Sequence, residues 1–399
     1  MNILFVSFLK PDAPSGVRVH YLALAAALRR QGHAVDVLTP ACLGGWRRHL
    51  VAALRHVLRR LGPAACALAN PLSDYLHLRW GVAAAATIPY DVVNAQDAAS
   101  GLAARRALNG RVPVVVTGHH NDHPAADDLR QHPRPAPAAR ALYRWHNYLL
   151  ARTDYFLAVS DYGRACIRPA LPPAAHCRTV YNGIDFEAFA PPACPRPPQW
   201  PERHLLLNIG HLEGRKNQLL LVEAAHWLRQ FRDDFVVGLV GSGPDGPALL
   251  ARVAALGLGQ HVQLLGQRAA VAPLLAQASL YVHTATHETF GLVLAEALAA
   301  GVPALALAVG GVPEVLAATP EALARQLHTW LEATAARAAL HSRQLAYART
   351  HFAQARMVAQ TLAFFDWTRR HFQRQRQRQP AARPAPVVPW QTWRLGPLV

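Results

Sequence analysis

The chain reads as an α/β protein built from two doubly wound parallel-sheet domains. Strand-forming and helix-forming stretches alternate through both halves of its 399 residues. A proline-rich stretch at residues 190–201, APPACPRPPQWP, separates the two series and has the stiffness of a linker. Apolar residues make up 52% and charged residues only 16%, a composition that buries a full core in each half and excludes general disorder.

In chain order, MNILFVSFLK has no basic residues ahead of its apolar run, so residues 2–8 form a first strand and not a signal sequence. A helix over about 17–31 follows and is closed by Gly32. Further strands fall at 34–39, 91–94, 112–117, 155–160 and 178–181, then at 205–209, 235–240, 262–265, 280–283 and 304–308. The uncharged stretch between Glu296 and Glu314 is interrupted by Gly301, Pro303 and Gly310-Gly311, so no spanning helix is expected there. Domains are expected at 1–189 and 202–345, on either side of the linker. A helix at 346–368 crosses back to the first domain, and a basic disordered tail at 369–399 ends the chain.

Charge is unevenly spread. Residues 1–190 hold 21 Lys+Arg against 12 Asp+Glu, residues 191–368 hold 13 against 12, and the tail holds 7 against none. The basic residues carry no nucleic-acid recognition motif, so the excess points to an anionic acceptor or membrane surface on one side. Trp46, Leu50, Leu54, Val57 and Leu61 recur at helical spacing with Arg47, Arg48, Arg55, Arg59 and Arg60 on the other faces. That pattern fits a membrane-surface helix or a helix packed on the sheet. Five scattered cysteines without C-x-x-C spacing read as free thiols in a reducing, cytoplasmic setting.

The most informative stretch is HTATHETFGLVLAEALAAGVPALALAVGGVPEV, residues 283–315. A helix starting near Gly291 directs free N–H groups and its positive dipole end at the space before it, a site for an anion. Glu288 and Glu296 lie about 8–10 Å apart along that axis, too far to share a proton but suited to gripping hydroxyls at two ends of one ligand. Glu288-x7-Glu296 with Phe290-Gly291, Gly301-x-Pro303 and Gly310-Gly311-x-x-Glu314 resembles the donor-binding signature of the retaining GT-B glycosyltransferases of family four, glycosyl transferases group 1.

That resemblance implies two Rossmann-like domains facing a central cleft, 1–189 on the acceptor side and 202–345 binding the nucleotide sugar. It also implies transfer of a sugar from a nucleotide-diphosphate sugar to a saccharide or lipid-linked acceptor, with retention. No metal and no cofactor besides the donor substrate is expected. Residue by residue, Glu288 would hold the donor sugar and Glu296 the ribose, with Thr289, Phe290, Gly291 and Leu292 around the diphosphate. Ser15-Gly16 would serve as the glycine loop. His119 in Thr117-Gly118-His119 would lie over the reacting sugar, and Lys216 in GHLEGRKN would meet the diphosphate. His211 stands where the pattern has arginine, with Arg215 as a substitute cation, and Gln96 stands where it often has histidine. Asn182-Gly183-Ile184-Asp185 matches the boundary motif, and about a dozen residues are missing after Glu314.

Gly241-Ser242-Gly243-Pro244-Asp245-Gly246 satisfies G-x-G-x-x-G, but no acidic residue follows before Glu288, which excludes a dinucleotide fingerprint. Three other readings are a non-catalytic nucleotide-sugar binder, a nucleotide-sugar epimerase of the same fold and a nucleic-acid binder. The paired glutamates favour transfer.

Overall fold

A computed structural model describes residues 1–9, 15–40, 45–189, 203–268, 270–311 and 320–378. The linker, Glu314 with the shortened segment, and the last residues of the tail lie outside the described residues.

Six strands make the first sheet: β1 (Asn2–Val6), β2 (Ala34–Leu38), β3 (Val92–Ala95), β4 (Val114–Gly118), β5 (Tyr155–Ala158) and β6 (His176–Thr179). Helices α1 (Gly16–Arg30), α2 (Trp46–Leu58), α3 (Pro63–Ala85), α4 (Ala98–Ala107), α5 (Pro124–Gln131), α6 (Ala136–Leu150) and α7 (Asp161–Ile167) connect them. The second sheet holds β7 (His204–Ile209), β8 (Phe235–Val240), β9 (Val262–Gly266), β10 (Leu280–His283) and β11 (Ala304–Ala306). Its helices are α8 (Gln218–Leu228), α9 (Gly246–Ala255), α10 (Ala272–Leu275) and α11 (Leu292–Ala299). Three helices close the chain: α12 (Pro320–Glu332), α13 (Thr334–Phe352) and α14 (Gln354–Arg378).

Every strand pair is parallel, in the orders β2-β1-β3-β4-β5-β6 and β11-β10-β7-β8-β9. Strands buried on both faces read as unbroken apolar runs, as in the wholly buried β8, FVVGLV. Order reverses between β1 and β3 in one sheet and between β7 and β10 in the other. Parallel sheets open a crevice beyond the strand ends at such points.

Several strands, β1, β2, β5, β6 and β11, end one or two residues earlier than the sequence suggests. β11 stops at Ala306 because its only partner, β10, stops at His283 opposite it. β6 starts at His176, level with Tyr155, and ends before Asn182-Gly183. That motif is the crossing point of the returning chain: Ile184 N–H donates to Phe352 O at 2.7 Å and Gln354 N–H to Ile184 O at 3.0 Å. A Cβ on Gly183 would lie 2.6 Å from Gln354 Cα, so only glycine lets the two backbones pass. Gly183→Ala is expected to cost about 1–3 kcal/mol, read as a lower urea midpoint at unchanged slope.

Helix α14 then packs Met357, Val358, Phe364 and Phe365 against Ile3, Phe5, Tyr21, Leu24 and Leu28 of the first half. Each buried aromatic there is worth about 1.5–3 kcal/mol. The helix continues ten residues past position 368, because Phe372 reaches that core and His371 stacks on Trp367 at 4.9 Å. In the second half, Leu323, Leu327 and Leu331 of α12 complete the core around α8.

Helix α2 does not pack on the sheet. Only Val51 is buried, against α3, while Trp46 is 68% and Leu61 67% exposed and Leu50, Leu54 and Val57 are exposed with them. The apolar stripe faces outward.

Candidate active site

The crevices at the two reversal points face each other. Between them lies a cleft of about 420 Å³ lined by Gly16, His119, Asn121, Asn182, His211, Arg215, Lys216, His283, Glu288, Thr289, Gly291 and Leu292, among others. One of the expected site residues is missing from this lining: Glu296.

From the second half, β7 delivers the loop to Lys216 and β10 the loop to Glu288. The two loops are stitched together: Thr284 Oγ1 donates to Lys216 O at 2.8 Å and Thr286 N–H to Arg215 O at 2.9 Å. Asn217, in the left-handed region at φ 51°, turns the chain into α8 and leaves Lys216 pointing into the cleft. The G-x-G-x-x-G stretch serves this loop rather than a nucleotide. A Cβ on Gly241 would lie 1.9 Å from Gly210 O, and one on Gly243 2.3 Å from Leu212 O. Those glycines let the 241–246 turn grip the chain beside His211.

Lys216 Nζ lies 2.6 Å from Glu288 Oε2. Burial alone would raise the Glu288 carboxyl, but His283 and the Lys216 ammonium outweigh it and hold the group far below the usual carboxylate range. Arg215 pairs with Glu213 at 2.7 Å. Both cations of the loop therefore have an acidic partner in the ligand-free protein. Behind Glu288, Gly311 N–H donates to its carbonyl at 3.0 Å, and Gly310, at φ +56°, leaves no room for a Cβ beside that same oxygen.

The helix after Glu288 begins with open donors. Leu294 and Ala295 N–H bond to Gly291 O, whereas those of Gly291, Leu292 and Val293 have no acceptor among the described residues. Across the cleft α1 starts at Gly16, whose Cβ position would be 3.3 Å from Leu292 Cδ1. Two helix N-termini thus converge on one space, which favours an anion.

Phe290 is part of the cleft lining and also packs behind it. It is 9% exposed and packs edge-on against Phe352 at 5.0 Å and near Tyr181, so its side chain joins the halves of the molecule. Glu296, on the second turn of α11, has no hydrogen-bond partner among the described residues. Burial raises its carboxyl to about 7.

From the first half, β4 delivers His119. Its Nε2 lies 3.1 Å from Gln96 Oε1. The Gln96 amide donates to Asn94 at 2.6 Å, and Asn94 donates to Thr117 at 2.9 Å. With the Gln96 nitrogen committed to Asn94, its oxygen faces the ring, so His119 carries its hydrogen on Nε2. Gln96 is thus the group that sets the tautomer. Burial first, then the nearby His20 and His120, lowers His119 well below its ordinary value and keeps it neutral at pH 7. Thr289 Oγ1 spans the cleft to Asn121 Oδ1 at 2.5 Å. Asn121, Asn182 and His283 also line the cleft; Asn182 stood out only as part of the boundary motif and His283 only as a strand end.

Among the described residues no group of three or more His, Cys, Asp or Glu is arranged to hold a metal ion. Among the same residues no helix is long and apolar enough to cross a membrane. The arrangement can bind a polyhydroxylated anion: open amides and a lysine for the anionic part, ionised Glu288 for hydroxyls.

Comparison with known proteins agrees. Residues 14–188 match the family Glycosyltransferase Family 4, and residues 196–342 match Glycosyl transferases group 1. The phosphatidyl-myo-inositol mannosyltransferase of Mycobacterium leprae is 27% identical over 302 residues, 74% of this chain and 75% of that protein. The N-acetyl-alpha-D-glucosaminyl L-malate synthase of Bacillus anthracis is 45% identical over 217 residues, 53% of this chain and 54% of that protein. Among solved structures, Anabaena HepE in complex with UDP-glucose superposes with a TM-score of 0.67 at 22% identity, covering 91% of this chain and 99% of that one. Sucrose-phosphate synthase of Thermosynechococcus elongatus gives 0.72 at 19% identity, covering 92% and 99%. Two facing Rossmann-like sheets and family matches across both halves make this chain a member of the family 4, group 1 glycosyltransferases, with the GT-B fold.

Proposed function

We propose that the protein moves a sugar from a nucleotide-diphosphate sugar to an acceptor hydroxyl with retention and without a metal. The acceptor is a saccharide or glycolipid of the cell envelope, met at the inner face of the cytoplasmic membrane. The observation that carries the reading is the Lys216–Glu288 pair set before the open N-terminus of α11. A diphosphate entering there competes for Lys216. As the ammonium shifts to the phosphates, ionised Glu288 is released to accept hydrogen bonds from the donor sugar. His119, neutral and fixed by Gln96, orients the sugar from the opposite wall. The C1–O bond to the diphosphate breaks, the acceptor oxygen bonds C1 on the same face, and its proton passes to the leaving phosphate oxygen. The charge growing on that oxygen is met by Lys216 and the amides of residues 291–293. Relatives whose names specify GDP-mannose, and a structural neighbour solved with UDP-glucose, support a sugar-nucleotide donor.

The test is transfer in the presence of EDTA, with the product's anomeric proton read by NMR. The proposal expects turnover to persist and the donor's anomeric configuration to be kept. Inverted product, or activity abolished by EDTA, contradicts it.

The exposed stripe of α2 supports docking on an anionic membrane surface, with its arginines reaching the headgroups. Replacing Trp46, Leu50 and Val57 by serine is expected to lower binding to phosphatidylglycerol vesicles by about tenfold or more, since each buried CH₂ is worth about 0.8 kcal/mol. Unaltered co-sedimentation would exclude α2 as the anchor.

A further inference from the structure

His283 ends β10 inside the cleft with a side chain only 3% exposed. Its Nδ1 lies 3.0 Å from the hydroxyl of Tyr281, itself fully buried. Its Nε2 lies 3.5 Å from Glu288 Oε2, the oxygen that Lys216 Nζ holds at 2.6 Å: near enough to help keep that carboxylate ionised, but too far for a full hydrogen bond among the described residues. A buried ring nitrogen without a full hydrogen bond is costly. Here it stops half an ångström short of one acceptor that another group already occupies.

We propose that His283, held as the Nε2–H tautomer between Glu288 and the Tyr281 hydroxyl, is a positioning residue that takes over Glu288 when the donor diphosphate draws Lys216 away. This rests on the donor reading of the cleft and adds a residue to it.

The tautomer follows from the contacts. The Tyr281 hydroxyl has two neighbours, His283 Nδ1 at 3.0 Å and Ile209 O at 3.5 Å. An ionised carboxylate only accepts, so Nε2, which faces Glu288, carries the ring hydrogen, and Nδ1 accepts from the Tyr281 hydroxyl in preference to the more distant Ile209 O. The charged and titratable groups facing this set are Lys216 and Arg215 from the loop after β7, Glu288 from the loop after β10, and Glu296 from α11, which acts on Tyr281. Burial first, then Lys216 and Arg215, lowers the imidazole against the opposing pull of Glu288, and the ring stays neutral. Once Lys216 turns to the phosphates, Glu288 remains buried without its ammonium. A neutral N–H donor on a rigid strand end then keeps the carboxylate ionised and aimed at the sugar, without adding a positive charge that would compete for it.

Three variants test this. His283→Leu is expected to lower turnover at saturating donor by about tenfold while nucleoside-diphosphate affinity stays within about twofold. The acid limb of its pH–rate profile should move up by about one unit, because one unit corresponds to a tenfold change in the ionisation equilibrium. His283→Gln, which places an amide N–H near the Nε2 position, should restore most of both. In the donor-free protein, long-range ¹H–¹⁵N spectra of histidine-labelled wild type, assigned by comparison with His283→Gln, should show a neutral Nε2–H ring, and Tyr281→Phe should weaken that preference. Unchanged turnover and pH profile in His283→Leu, an equal loss of nucleoside-diphosphate affinity, failure of His283→Gln to restore, or an Nδ1–H or cationic ring in wild type would each overturn the proposal. Wild type that binds neither UDP nor GDP would instead remove the donor reading, and the spectra would still decide the tautomer.

Discussion

Lys216→Met lowers kcat/KM for the nucleotide-sugar donor by about 10²–10³-fold, the usual cost of losing one group that meets developing charge in an enclosed site. Most of the loss should fall on kcat, because charge on the leaving oxygen is greater in the transition state than in the bound donor. Free nucleoside diphosphate should also bind more weakly. The same ion pair predicts the opposite sign for its partner. In Glu288→Gln the ammonium is no longer neutralised at 2.6 Å, so nucleoside diphosphate alone should bind several-fold tighter, while sugar transfer falls with the loss of the carboxylate. Calorimetry with the bare nucleotide and steady-state kinetics with the full donor separate the two effects. If both variants weaken the bare nucleotide alike, the pair is not the switch described here.

Glu296→Gln is expected to stabilise the free protein and to weaken donor binding. The Glu296 carboxyl is raised by burial from 4.5 to about 7, with no partner to offset the desolvation. The sign follows from proton uptake. A group raised in the folded state favours folding below the unfolded value near 4.5, and that contribution is lost as pH rises through about 7. At pH 8 the ionised carboxylate therefore costs the wild type about 3 kcal/mol at most, since each unit is worth 1.36 kcal/mol. Glu296→Gln should melt higher than wild type at pH 8 and close to it at pH 4.5. A ribose gripped by this carboxylate would supply the missing donors. Loss of such charge-assisted hydrogen bonds, about 1.5–3 kcal/mol, should weaken nucleotide binding by about 10- to 100-fold. Equal melting at pH 8, with unchanged affinity, would take Glu296 out of the site.

Much of the fold was legible in the residues because buried parallel strands are predominantly apolar, and the run at β8, FVVGLV, says so directly. The donor loops were legible for a related reason: an anion site needs glycine, open amides and a cation at a strand-to-helix turn. What escaped depends on contacts between distant segments. Phe290 belongs to the motif, yet its ring serves the junction with Phe352 and Tyr181. His283 is one histidine among 21, and only its place between Tyr281 and Glu288 sets it apart. Gln96 looked like a departure from the family pattern, while its amide orientation through Asn94 is what fixes His119. The tail was read as starting at 369 because its composition is low-complexity and basic. Phe372 carries the helix onward by packing on the core of the first half, while His371 stacks on Trp367 and meets the Tyr155 hydroxyl, far away in the chain.

The most direct test of the central claim is a thermal-shift panel with UDP, GDP, ADP and their common sugar conjugates, in EDTA, on wild type and Lys216→Met. A donor site of the kind described gives a shift with one nucleotide and its sugar conjugate, about 2.7 kcal/mol of stabilisation at a hundred times Kd, and little or none in the variant. No shift with any of them would mean that this cleft does not bind a nucleotide-diphosphate sugar, and the account of Lys216, Glu288 and the open helix ends would be wrong.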